Sequence, residues 1–352
     1  MKLRILAIIF IISGFSAHTF SAIDNSKTIK DMYFPDIAEP GCIFIGEETK
    51  DLNILQYMAT VGIDISFDQR KHTKKLLTRR LNMYNSSQEP SEEKGLRQFR
   101  DPNKYSRAAI SISGSNCDFQ AKYKLTGDMM DHHDVNLSSI KVKLESASLG
   151  DIQQFKLFVP ISRSGKMEVF ATYMFRKLGF LSPRTAIVNV KINDKLVVSR
   201  IFQEEIDKSF LEYNNIHDSF IFRGHEDFGI MRPFSVPSIR NDKLIKSYGN
   251  SALAESALYD LTQIYLSIGL ASMLASPSRY SGVDPMINPD YFPKTSREEL
   301  QLFTMLSLAM SLGGGLTKDD SRFVYDSIGQ IFRPIFYDGH ASRDIPTLKD
   351  SE

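Results

Sequence analysis

Alternation of apolar and polar positions is sharpest between residues 139 and 144, where Lys141 and Lys143 separate Ile140, Val142 and Leu144. A period of two puts the aliphatics on one face of a strand and both lysines on the other. Ala109 to Ser113 and Phe119 to Leu125 read as strands flanking a Gly-Ser-Asn turn just upstream. Thr185 to Ile192 and Leu196 to Phe202 form a hairpin through Asn193-Asp194-Lys195. Between Met167 and Leu178 the apolar spacing changes to three and four, which predicts a helix carrying Glu168 near its start and stopped by Gly179. Ala252 to Ala275 and Ser296 to Leu312 have the same helical period, and Gly313-Gly314-Gly315 reads as the C-terminal cap and turn of the second. Two aromatic runs, Asp319 to Tyr325 and Phe332 to Gly339, close the pattern as a hairpin turning at Gly329.

The first residues follow a different logic. Lys2 and Arg4 precede an apolar run from Ile5 to Phe15 and then small residues up to Ala22, the three regions of a secretory signal. The expected organisation is therefore a signal peptide over 1–22, an N-terminal region of unknown role over 23–104, and one domain over 105–352. No later run is apolar for long enough to span a bilayer, because Ala252 to Ala275 contains Glu255, Asp260 and Gln263. A mature protein without an integral span, secreted, periplasmic or at the cell surface, is expected.

Composition narrows the partners. The 43 basic and 42 acidic residues leave a net charge of +1, so no global field selects nucleic acid or an anionic membrane, and only local patches could do so. Only Cys42 and Cys117 are present, which excludes a four-cysteine zinc site but allows one disulfide in an exported chain. The basic stretch from His72 to Asn82 reads as a solvated helix face, and Ser86 to Gly95 as a loop or linker.

The candidate chemistry lies in charged residues at strand ends. A folded terminal hairpin brings Asp319 or Asp320 close to Asp338, a seat for a hard divalent cation and the phosphates it carries. The bland alternative is that each Asp caps a turn. A lysine projecting from the strand at 141 or 143 can grip phosphate, although a polar outer sheet face explains the same pattern. Glu204 ends a strand just before a helix from Lys208 to Tyr213 that Asp207 is placed to cap. His132 and His133 point in opposite directions in an extended segment and read as a loop beside the lysine strand rather than a metal site.

The order of these pieces resembles the CotH-type secretory kinases. The likeness is carried by Lys124-Leu125-Thr126-Gly127-Asp128, Ser139 to Leu144, Met174 to Gly179, Pro183-Arg184-Thr185, Val188 to Asn193, Glu204 to Leu211 and the closing hairpin, over roughly residues 105 to 345. The resemblance implies an α+β, protein-kinase-like two-lobed fold, with a β-rich nucleotide lobe packed on a helical lobe. It implies an ATP-dependent phosphotransferase using Mg2+ or Mn2+, with Ser or Thr of exported proteins as acceptors. On this reading Lys141 or Lys143 holds the nucleotide phosphates, Glu168 orients that lysine, and Glu204 lies at the interlobe hinge. Asp338 binds the metal, and Asp320 stands where the catalytic-loop acid or a metal ligand is expected. Asp319-Asp320 replaces a His-Asn-type pair of many relatives, and Asp194 replaces the usual turn glycine. Two other classes compete: a catalytically degenerate surface or cell-wall binding protein on the same scaffold, and a glycan hydrolase with paired carboxylates, which the lack of Trp disfavours.

Overall fold

The computed structural model describes residues 52–88, 104–113, 118–127, 130–133, 138–145, 147–216, 219–224, 236–241, 251–275, 286–318 and 320–339, all within one compact unit spanning 41–352. The expected signal segment, Cys42, Cys117, Asp128 and Asp319 lie outside the described residues.

Seven strands make a closed barrel: β1 (Ile63–Phe67), β2 (Ser106–Ile112), β3 (Asp118–Leu125), β4 (Ile140–Leu144), β5 (Gln154–Phe158), β6 (Thr185–Ile192) and β7 (Leu196–Glu204). Neighbours run in the order β1, β2, β3, β4, β5, β7, β6, all antiparallel until β6 meets β1 in parallel, with Ile63 opposite Val190 and Ile65 opposite Ile192. Each strand turns its aliphatic positions inward, so Ile65, Ile110, Val142, Leu157, Val188 and Phe202 share one core. Closure leaves no sheet edge to pair with another chain. Helix α1 (Leu52–Val61) precedes β1, α2 (Gln69–Gln88) follows it, and Leu55 and Met58 of α1 belong to the barrel core.

A second, four-stranded sheet contains β8 (Phe220–Arg223), β9 (Ser238–Ile239), β10 (Arg322–Asp326) and β11 (Ile331–Ile335), ordered β11, β10, β8, β9. The terminal hairpin is β10 and β11, with Arg322 opposite Ile335. Helices α5 (Ser251–Ala275) and α6 (Lys294–Ala309) give this sheet its core, where Leu261, Tyr265 and Leu300 meet Phe222, Phe323 and Phe332. Helix α3 (Lys166–Lys177) joins the two parts, because its Ala171 and Phe175 pack with Phe303, Leu316 and Phe336. Phe175 stacks on Phe336 with ring centroids 4.3 Å apart. A short helix, α4 (Lys208–Tyr213), leaves β7, capped by Asp207, whose Oδ1 accepts from the Ser209 N–H at 3.0 Å.

The mixture of α and β is the expected one, but the architecture is not. A sheet that closes on itself through the β1–β6 pair is not the two-lobed, protein-kinase-like fold, and that expectation is withdrawn. The physical reason is reach: β1 lies more than a hundred residues from β6, and local periodicity carries no information about such a pairing. Among the described residues no helix is long and apolar enough to cross a membrane.

Candidate functional site: a lysine row against the terminal hairpin

Register places three lysines side by side on the outer face of the barrel. Lys124 of β3 is opposite Lys141 of β4, Lys141 is opposite Lys156 of β5, and Lys156 is opposite Gln203 of β7. Like charges directly across a sheet repel, so this row needs counter-charge. Glu205, just past β7, supplies it: its Oε2 is 3.3 Å from Lys141 Nζ and 3.6 Å from Lys156 Nζ, and its other oxygen meets Arg240. Burial lowers the Lys141 pKa to about 6, assisted by the neighbouring cations Arg240, Lys156 and Lys124. Burial likewise brings Lys156 to about 8, against the pull of Tyr337.

The segment after β11 closes over this row. Tyr337 Oη accepts from Lys156 Nζ at 2.9 Å and from Arg163 Nη2 at 3.1 Å, while the Arg322 guanidinium lies 4.7 Å from the ring centre. Burial alone raises a phenol, but Lys156, Arg163 and Arg322 outweigh it and bring Tyr337 down to about 8. Arg163 is delivered by a 3-10 turn, Pro160–Arg163, directly after β5, and is stacked between Phe158 and Tyr337 at 4.2 and 4.9 Å. Its Nη1 pairs with Asp338. Burial works against this guanidinium, yet Asp338, Tyr337, Glu168 and Asp320 together hold its pKa above the usual value.

Glu168, in the first turn of α3, is buried and accepts from Gln203 Nε2 at 3.0 Å and from the Gly339 backbone N–H. Burial raises its pKa to about 7, with Arg163 opposing and Asp338 adding to the rise. It therefore ties the barrel strand β7 to the loop bearing Asp338. The glycine run fixes the same loop from the other side. Gly314 N–H donates to Gly339 O at 3.1 Å, and a Cβ on Gly315 would come within 2.8 Å of Tyr337 O. The run was expected to cap the preceding helix. In fact α6 ends at Ala309, Ser311 takes the left-handed conformation at φ 57, and the glycines allow the close backbone approach. Asp338 itself has φ 54, a conformation that few residues other than Gly, Asn and Asp adopt readily.

The expected site residues are thus divided. Lys141, Glu168 and Asp338 belong to one charged cluster, and Asp320 bears on it through Arg163. Lys143 does not share Lys141's environment: it is exposed, opposite Lys122 and Gln154. Glu204, expected at a hinge, is buried in an ion pair. It grips Arg184, Oε2 accepting from Nε at 2.9 Å and Oε1 from Nη2 at 2.6 Å, and Asp151 takes the rest of the guanidinium. One residue of alternation explains the exchange, since Glu204 and Glu205 leave the strand in opposite directions. Lys156, Arg163, Glu205 and Tyr337 are the participants that sequence reasoning missed. For Lys156 a signal existed, because it lies between Phe155 and Leu157 as Lys141 lies between Ile140 and Val142. The segment before His133 is a 3-10 turn, Met130–His132, rather than extended; His132 meets Ser139 Oγ at 3.0 Å, and His133 accepts from Arg79 Nε at 3.1 Å.

No family model matches the chain, and no curated protein matches it.

Proposed function

We propose that the chain is an exported phosphotransferase that takes a phosphoryl group from ATP at the lysine row. One observation carries this reading: Lys141 and Lys156 share the Glu205 carboxylate, and Lys156 meets Arg163, the partner of Asp338, at the Tyr337 hydroxyl. Lys156, Arg163, Arg240 and Arg322 are cations around few acids, which favours a multiply charged anion; such an anion would also favour the protonated form of Lys141, and a buried setting strengthens each contact. Lys141, Lys156 and Arg163 bind the phosphates, and Glu205 positions the two amines. Glu168, through Gly339, positions the Asp338 loop.

The residues present fit a nucleotide that brings its own Mg2+ or Mn2+. Among the described residues no group of three or more His, Cys, Asp or Glu surrounds a common point, so the protein supplies no cage. Magnesium commonly uses one or two carboxylates with phosphate and water oxygens for the remainder, and on this reading Asp338 and Asp320, which both act on Arg163, would supply them. Such an ion would neutralise charge on the transferring group. In the transfer, a Ser or Thr hydroxyl oxygen of an exported protein bonds to the γ-phosphorus as the bond to the β–γ bridging oxygen breaks. Asp320 takes the hydroxyl proton, and ADP leaves.

A second reading, anion binding without transfer, is favoured by the Arg163 contact, which already engages the Asp338 carboxylate. Both readings expect millimolar ATP with manganese to raise the melting temperature. Only the first expects label from γ-labelled ATP on protein, lost in Asp338→Ala and Lys156→Met. A melting temperature indifferent to nucleotide removes both readings; a shift without label leaves the second.

A further inference from the structure

Helix α2 has two working faces, and only one is spent on the fold. His72, Leu76, Arg79 and Met83 are buried, and Arg79 is tied to His133 and to Gly127 O at 2.7 Å. On the opposite side Leu77, Leu81 and Tyr84 are 54%, 60% and 60% exposed. At about 100° per residue these three fall within roughly 60° of arc. Arg70 and Lys74 continue the same line towards the helix start, and both are exposed. The 20 residues of α2 contain no Asp or Glu. Along this face Arg70 and Lys74 therefore come first and three large apolar tips, Leu77, Leu81 and Tyr84, follow, with no acid on the helix to neutralise the two cations.

We infer that this outer face of α2 is a docking surface for an anionic lipid membrane. Charge complementarity and shape choose that occupant. A convex helix face suits a planar, fluid partner, whereas peptides and small ligands seek grooves and clefts. Aliphatic tips enter the acyl boundary, Tyr84 lies at headgroup level, and Arg70 and Lys74 meet lipid phosphates. The contact is peripheral and independent of the lysine row.

Cosedimentation of the full chain with phosphatidylcholine vesicles, with and without about one-third phosphatidylglycerol, tests the inference. The expected result is binding that needs the anionic lipid, weakens with salt, and falls about tenfold or more in Leu77→Glu/Leu81→Glu and in Arg70→Glu/Lys74→Glu. The leader-like run before Phe15 is common to parent and variants, so the contrast between them reads α2 alone. Should the glutamates lower the melting temperature, Leu77→Gln/Leu81→Gln gives the same comparison. Equal binding by parent and variants, or equal binding to neutral vesicles, overturns the inference. So does a lipid-free dimer that Leu77→Glu/Leu81→Glu dissociates, because the face would then belong to a second copy.

Discussion

Outside the lysine row, His72 is a buried titratable residue enclosed by aromatic rings. Its ring lies 4.7 Å from that of Phe67 and 5.7 Å from that of Tyr123, and neither ring nitrogen has a hydrogen-bond partner. Burial, with a smaller contribution from Lys75, lowers its pKa to about 4. A histidine whose folded pKa lies below its unfolded value of 6.5 stabilises the fold above pH 6.5 and loses that contribution as pH falls towards 4. Full protonation then costs about 3 kcal/mol. His72→Phe keeps the aromatic cluster and removes the proton acceptor, so it is expected to raise stability at pH 5 more than at pH 8. Urea melts across that range measure the difference. His133, also lowered to about 4 by burial and by Arg79, leaves residual acid sensitivity in the variant. A variant as acid-sensitive as its parent would assign the whole effect elsewhere.

At the scale of elements, the sequence was informative where one strand or helix answers to its own period. The β6–β7 hairpin, α3, α5 and the terminal hairpin were all legible, because burial of one face repeats every two or every three to four residues. The functions of individual ends were not. Glu204 and Glu205 are adjacent and chemically alike; alternation sends them to opposite sides, but the position of Arg184 on one of those sides is what makes Glu204 the structural clamp. Arg184 is buried, bonded to both Asp151 and Glu204, and its guanidinium lies 4.1 Å from the Tyr213 ring centre. Glu204→Gln leaves that cation under-compensated and is expected to cost about 3–5 kcal/mol. Thermal melting should register the loss, while nucleotide affinity of the folded fraction stays near the parent's. Glu205→Gln is expected to do the reverse in affinity, since it releases the amines of Lys141 and Lys156 from their counter-charge. Equal effects of the two variants on affinity would refute the division of labour between these neighbours.

Across the whole molecule, the site depends on a convergence that no local pattern encodes. The expectation named Lys141 or Lys143, whereas the lysine that reaches the segment of Asp338 is Lys156, by way of Tyr337; the barrel that supplies it was not expected, and Arg163 arrives on a short turn without a recognisable signal. The seam between Lys156 of the barrel and Tyr337 after the second sheet turns this convergence into a measurable property. Both groups have pKa values near 8, and they share a hydrogen bond of 2.9 Å, so they titrate as a pair. Below pH 8 the pair is at its most positive; as pH rises through 8 it loses a proton and its attraction for an anion falls. If ATP phosphates bind here, affinity weakens by up to about tenfold per pH unit above 8, because binding must recover that proton. Lys156→Arg holds its charge across the range and is expected to flatten the profile, and Tyr337→Phe removes the competing acceptor and flattens it from the other side. Calorimetric titrations between pH 7 and 9.5 with magnesium present follow the trend. An affinity independent of pH in the parent would separate nucleotide binding from this seam and move the phosphate site off the lysine row.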